Sequence, residues 1–121
     1  MDIQPGDVFW VQPEGAADEV SRIAHPHVVV AVQAAMQTDD SEVMTVTMCA
    51  ITTNMKKISM PGNVLLQAGE ANLPRTSVVE VSKVITLTIA QLGDAIGTLS
   101  PQRLQQILSG MRFVQTSFFN R

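Results

Sequence analysis

The sequence predicts a mainly β domain: a small barrel or curled sheet with one amphipathic helix packed on it near the C-terminus. Three observations carry that expectation. Short β-branched runs bounded by turn residues recur from Asp7 to Ile89. One of them, Glu42 to Thr52, alternates with a period of two. Only the part after Ser100 changes to a helical period. At 121 residues the chain reads as a single domain, 1–121, long enough to bury a core without disulfides or metal.

The elements follow in order. Pro5 and Gly6 make a turn, and Asp7 to Gln12 read as the first strand. Residues 13–26 hold Pro13, Gly15, Glu14, Asp18, Glu19 and Arg22, and read as a long loop of the kind that often carries function. His27 to about Met36 is apolar and β-branched at its start, hence a buried strand. Thr38 to Ser41 is a turn. In the next strand Val43, Thr45, Thr47 and Cys49 alternate with Met44, Val46, Met48 and Ala50. Thr53 and Asn54 open a basic loop at Lys56 and Lys57. Further strands are expected at Gly62–Gln67, Ser77–Ser82 and Val84–Ile89. Ser100 is a good N-cap and Pro101 suits the first helical position. Leu104, Ile107, Leu108, Met111 and Gln115 then follow helical spacing, which predicts a helix over 100–116.

Composition narrows the function classes. The formal net charge of −3 argues against a strongly basic nucleic-acid module. The distribution is uneven: residues 1–42 hold eight acids and one base, residues 43–121 seven bases and three acids. A basic surface on the later part is compatible with that asymmetry, as is an ordinary mixed surface. The single cysteine, Cys49, fits a reducing, cytoplasmic setting. The first ten residues lack a basic region followed by an apolar core, so no secretory signal is expected. No apolar run approaches the ~20 residues that a membrane-spanning helix needs.

No phosphate-binding loop, dinucleotide fingerprint, CxxC pair or HExxH helix is present. Nor does a nucleophile-elbow pattern point to a Ser-His-Asp site. The chemistry therefore rests on the two histidines, which straddle Pro26 in IAHPHVVVAV. The His-x-His spacing puts both imidazoles on one side of a strand. A metal site needs three or four ligands, and Cys49 is the single soft candidate to join them, so no metal and no cofactor is expected. A plain structural role for His25 in the turn before proline and a role in acid–base catalysis both fit the residues.

Together the motifs Pro5-Gly6-Asp7-Val8-Phe9-Trp10, His25-Pro26 with Val28-Val29-Val30, Ala50-Ile51-Thr52-Thr53 and Arg75-Thr76-Ser77-Val78-Val79 are informative. In order and spacing they resemble the MazF/PemK/Kid group, the toxins of bacterial toxin–antitoxin pairs, over about residues 5–114. The resemblance implies a small SH3-like β-barrel with a C-terminal helix packed on it, and a homodimer. It implies metal-independent cleavage of single-stranded RNA, growth inhibition, and a small antitoxin protein whose acidic or apolar tail blocks the RNA groove.

Residue by residue, the family's strand-opening Arg-Pro, whose arginine is central to catalysis, falls on His25-Pro26. The family's threonine at the end of the central strand falls on Thr52, and the small polar residue after it on Thr53. The loop over the RNA corresponds to residues 13–24, its acidic residue loosely to Glu19. Arg75 to Ser77 match a segment entering a strand that lines the groove. His25 and Thr52 are thus the expected catalytic residues. Arg22, Thr53, Lys56, Lys57, Arg75 and Ser77 are the expected substrate-binding residues, with Arg22 as the alternative source of fixed positive charge. His27 is expected mainly to support His25. An imidazole in place of a guanidinium predicts cleavage that varies between about pH 5.5 and 8, because a histidine changes charge near ~6.5 and an arginine does not.

Plainer readings stand beside these. Thr52 is also simply a good β residue, and Trp10 suits packing or a dimer contact better than base stacking. The seven methionines fill core gaps or a partner surface. Lys56 and Lys57 suit a solvated loop, and Cys49 an inert core position. At the level of the whole chain, the alternatives to a nuclease are a catalytically inactive binding module of the same fold and a structural homodimer.

Overall fold

The computed structural model describes residues 2–12, 23–36 and 42–119. Among these residues six strands form one sheet: β1 (Asp7–Val11), β2 (His25–Met36), β3 (Glu42–Thr52), β4 (Val64–Leu66), β5 (Ser77–Thr88) and β6 (Ala95–Thr98). Helix α1 (Pro101–Phe119) follows them. The strand order is β4-β5-β3-β2-β1-β6, and every neighbouring pair is antiparallel. The expected mainly β fold, a curled sheet with a terminal helix, is what the chain adopts. Several details differ from the sequence reading. β2 opens at His25, so His25 and Pro26 belong to the strand and not to the loop expected over 13–26, and the strand expected at Gly62–Gln67 is only Val64–Leu66. Ser77–Ser82 and Val84–Ile89 are not two strands but the one long strand β5, followed by a 3₁₀ turn, Ile89–Gln91. The strand β6, four residues long and interrupted by Gly97, is too short to stand out in sequence.

The curl comes from register shifts, since extra residues on one strand bend it and raise its twist. Between β2 and β3, Val29 faces Met48 and Ala31 faces Thr47, so Val30 is the extra residue. Between β3 and β5 the shift is larger. Cys49 faces Val84 while Ala50 faces Glu80, which leaves Val81, Ser82 and Lys83 without partners on β3. A backbone N–H left out of the ladder still needs an acceptor. Asn63 provides it: its Oδ1 accepts from Val81 N at 3.1 Å, and its Nδ2 donates to Lys57 O at 2.9 Å.

The bends let the sheet bury both faces. On one side Val8, Val28, Val30, Cys49, Ile51, Val79 and Val81 meet Ile107 of α1. On the other, Phe9, Val11, Val29, Val46 and Met48 pack under Ile85, Leu87, Ile89 and Leu92. Met48 and Cys49 are adjacent in sequence, lie in different clusters, and are both fully buried.

Helix α1 begins as its sequence predicts. Ser100 Oγ accepts from Arg103 N at 3.2 Å, and Pro101 occupies the first turn, where its missing N–H is not needed. Ile107 is fully buried, and Leu108, Met111 and Val114 pack beside it. Arg103 forks onto Glu70 with two bonds of 2.8 and 2.9 Å, which ties the helix to the turn before β5. That pair holds the Glu70 carboxyl below its usual range. At Gly110 a side chain would strike the backbone of Gly62, itself at φ +83°, so glycine is needed at both positions.

Asn63→Ala removes the acceptor for Val81 N and a donor to Lys57 O. It is expected to destabilise the fold by about 1–3 kcal/mol, the range for orphaning a buried backbone donor. Urea unfolding measures it; a midpoint equal to the parent's would show that the β5 excess needs no such tie.

Candidate active site

The site is built by strand register. His27 on β2 faces Ala50 on β3, and Ala50 faces Glu80 on β5, so the three residues form one row across the sheet. Alternate residues of a strand share a face, so His25 and His27 lie on the side of Val29, and Ala50 and Thr52 on the side of Met48. That is the second apolar face, and the site is its open end. The methyl of Ala50 leaves room between His27 and Glu80. Val11, His25, His27, Ala50, Thr52, Glu80, Lys83 and Ile85 line a pocket of about 390 Å³ there.

His27 is half-buried, and its Nδ1 lies 3.1 Å from the carbonyl oxygen of His25. Burial pushes its pKa below the usual histidine value. The charge of His25 acts in the same direction, while the bond to His25 O and the carboxylate of Glu80 oppose it. His25 itself is exposed at the pocket rim. The Glu80 side chain is buried, with Lys83 Nζ 3.9 Å from its Oε2. Lys83 reaches the same pocket three residues on because the unpaired stretch of β5 shifts the strand there.

Thr52 ends β3, and its Oγ1 accepts from Asn54 N at 3.1 Å. That bond uses a lone pair and leaves the hydroxyl proton free to donate. Asn54 in turn caps the 3₁₀ turn Met55–Ser59 through Oδ1 and Lys56 N, which fixes the basic loop directly after the site. A larger hollow of about 700 Å³ lies between β4 and α1, but its one charged side chain, Arg103, is already paired with Glu70. The acid–base groups lie in the smaller pocket.

Residues 4–114 match the family model described as PemK-like, MazF-like toxin of type II toxin-antitoxin system. The chain belongs to that family. Among curated relatives, Endoribonuclease MazF6 of Mycobacterium tuberculosis and Endoribonuclease MazF2 of Mycobacterium bovis are each 38% identical over 74 residues. Those residues are 61% of this chain, and the match spans 65% of the length of each relative. The fold is also that of two solved structures. One is an endoribonuclease in complex with its cognate antitoxin from a mycobacterial species, with TM-score 0.68, 17% identity, and coverage of 94% of this chain and 95% of that one. The other is an endoribonuclease from a mycobacterial species, with TM-score 0.64, 19% identity, and coverage of 92% and 88%.

Set in this family's fold, the residues expected from sequence separate into groups. His25 and Thr52 come together in the pocket, and His27, expected mainly to support His25, lines it as well. Thr53, Lys56 and Arg75 are exposed outside it, and Lys57 is half-buried in the turn. Ser77 is 3% exposed and donates to Arg75 O at 2.8 Å, so it braces the chain at Arg75 and does not line the pocket. Arg22 and Glu19 lie outside the described residues. Cys49 is buried, its thiol pushed up to about 11, as an inert core cysteine should be. Trp10 is 40% exposed, more open than a core tryptophan. Sequence reasoning missed Glu80 and Lys83. The one available signal was an acid set alone between valines in SVVEVS.

The lowered His27 pKa has a stability consequence with a definite sign. Below the ordinary value of 6.5 the unfolded chain takes up a proton that folded His27 resists. The contribution of His27 to folding stability is therefore present above about pH 6.5, the unfolded value, and is lost as pH drops below it. The melting temperature should decline between pH 7 and 5.5, and less steeply in His27→Gln; parallel declines in the two proteins would contradict the assignment.

Proposed function

We propose that this chain is a toxin-type endoribonuclease that cuts single-stranded RNA without a metal ion and is held in check by a cognate antitoxin protein. The observation that carries this reading is the pocket itself, where His25, His27 and Thr52 converge with Glu80 and Lys83 in a chain of this family. RNA carries its own nucleophile, the 2′-OH. Cleavage by that group needs a proton acceptor for the 2′-OH, donors to the phosphate oxygens and a proton for the leaving 5′-oxygen. The imidazoles serve the proton transfers, and the free Thr52 hydroxyl proton serves a phosphate oxygen. The O2′–P bond forms as the P–O5′ bond breaks, which yields a 2′,3′-cyclic phosphate and a 5′-OH.

His25 and Thr52 are the catalytic residues in this proposal. Lys56, Lys57 and Thr53, directly after Thr52, and Arg75 at the entry to β5 contact the flanking nucleotides. Ser77 acts through the Arg75 backbone, and Arg22, in the sequence between β1 and β2, adds positive charge. The protein works as a cytoplasmic homodimer, which covers the exposed apolar side chains Trp10, Met55, Ile58 and Met60. No helix among the described residues is long and apolar enough to cross a membrane.

The test uses end-labelled RNA and DNA of one sequence in excess EDTA. RNA should be cut to cyclic-phosphate products and DNA left intact. His25→Ala should lower the rate by roughly 10² or more, a typical size for a lost acid–base group, while His25→Arg keeps activity and flattens the alkaline limb of the pH profile. Products with a 5′-phosphate, or activity restored only by added zinc, would overturn the mechanism. RNA bound but never cut would favour the inactive binding module.

A further inference from the structure

We propose that His27 is the general base of this site, with Nδ1–H held by the His25 carbonyl, Nε2 left as the lone-pair nitrogen, and Glu80 across Ala50 as its electrostatic support. The assignment rests on the RNA-cleavage reading above and gives His27 a larger part than support of His25.

The geometry decides the tautomer. A carbonyl oxygen only accepts, so at 3.1 Å from His25 O the proton sits on Nδ1. A neutral imidazole protonated at Nδ1 has its basic lone pair on Nε2. Half-burial favours this neutral form, since burial is the leading cause that lowers the pKa of His27. The neutral ring is the form a base must have before the reaction. Taking a proton then makes an imidazolium in a partly buried place, and Glu80, 6% exposed and in register across Ala50, stabilises it. Among the described residues, the charged or titratable groups that face His27 are His25 on its own strand and Glu80 and Lys83 on β5. From β1 and β3 it meets Phe9 and Ala50, which bring no charge.

The two histidines then divide the proton transfers. His27 Nε2 takes the 2′-OH proton as O2′ bonds to phosphorus. The P–O5′ bond breaks, and the 5′-oxygen takes a proton from the imidazolium of His25, which stands at the exposed rim. Solvent restores both rings afterwards.

The experiment combines ring-nitrogen NMR of the parent with single-turnover cleavage of single-stranded RNA by the parent, His27→Gln, His27→Ala and Glu80→Gln, each checked for folding by circular dichroism. The expected NMR result is a proton on Nδ1 and none on Nε2 at pH 7.5. His27→Gln should lose about a hundredfold or more in kcat with little change in KM, since glutamine hydrogen-bonds but accepts no proton. Free imidazole should restore part of the activity of His27→Ala. Glu80→Gln should lower kcat and move the acidic limb of the profile to lower pH. A proton on Nε2, or a His27→Gln protein as fast as the parent, overturns the assignment of the base and leaves the nuclease reading standing. A parent that cuts no RNA overturns the nuclease reading and this assignment with it.

Discussion

Three residues of β5, Val81 to Lys83, find no partner on β3, and much of the fold is arranged around that excess. It lets one strand serve two layers. Val79 and Val81, before it, pack under helix α1, while Ile85 and Leu87, after it, cover the opposite face. Without it the face opposite α1 would lose its cover, and Met48 could not be fully buried beside Cys49. The orphaned N–H of Val81 is met by Asn63, and the same side chain holds the turn after the site through Lys57 O. The shift also brings Lys83 back beside Glu80, which regular period-two alternation would forbid.

The site inherits its character from its place at the open end of an apolar face. Val11 and Ile85 give it apolar walls, and Ala50 leaves a gap that a larger residue would fill. Pro26 donates no hydrogen bond and holds His25 extended, so the strand starts at a fixed orientation. Both imidazoles therefore face the gap from one strand, one at the rim and one half-buried. Their environments differ as acid–base partners require: solvent around His25, partial burial and a carboxylate around His27. This chain has no arginine at the strand opening, and a pair of histidines with a buried glutamate stands there instead.

Much of this was legible in sequence. Period-two alternation found β3, Ser100 and Pro101 found the helix start, and His-x-His placed both rings on one face. The order of motifs pointed to the family. What escaped was whatever depends on register between distant segments. Glu80 lies in register with His27 on the far side of Ala50, yet no local pattern links the two positions. Lys83 looks like a break between two strands because the irregularity it belongs to is invisible without its partner strand. Ser77 shares a face with Val79 and Val81, the helix side, so its hydroxyl turns from the pocket to the Arg75 carbonyl. The resemblance to the family put it near the groove but could not give its direction.

The central claim is that the phosphate to be cut sits at the end of the β2–β3–β5 row. Binding of a single-stranded RNA with 2′-O-methyl riboses, which has no nucleophile, tests it most directly by two-dimensional NMR with specific observation of the histidine rings. The account predicts the largest shifts at His25, His27, Ala50, Thr52 and Glu80, with smaller ones at Lys56 and Arg75. Binding that leaves those five unmoved, with shifts confined to Gln106 and Phe113 in the hollow between β4 and α1, would contradict it.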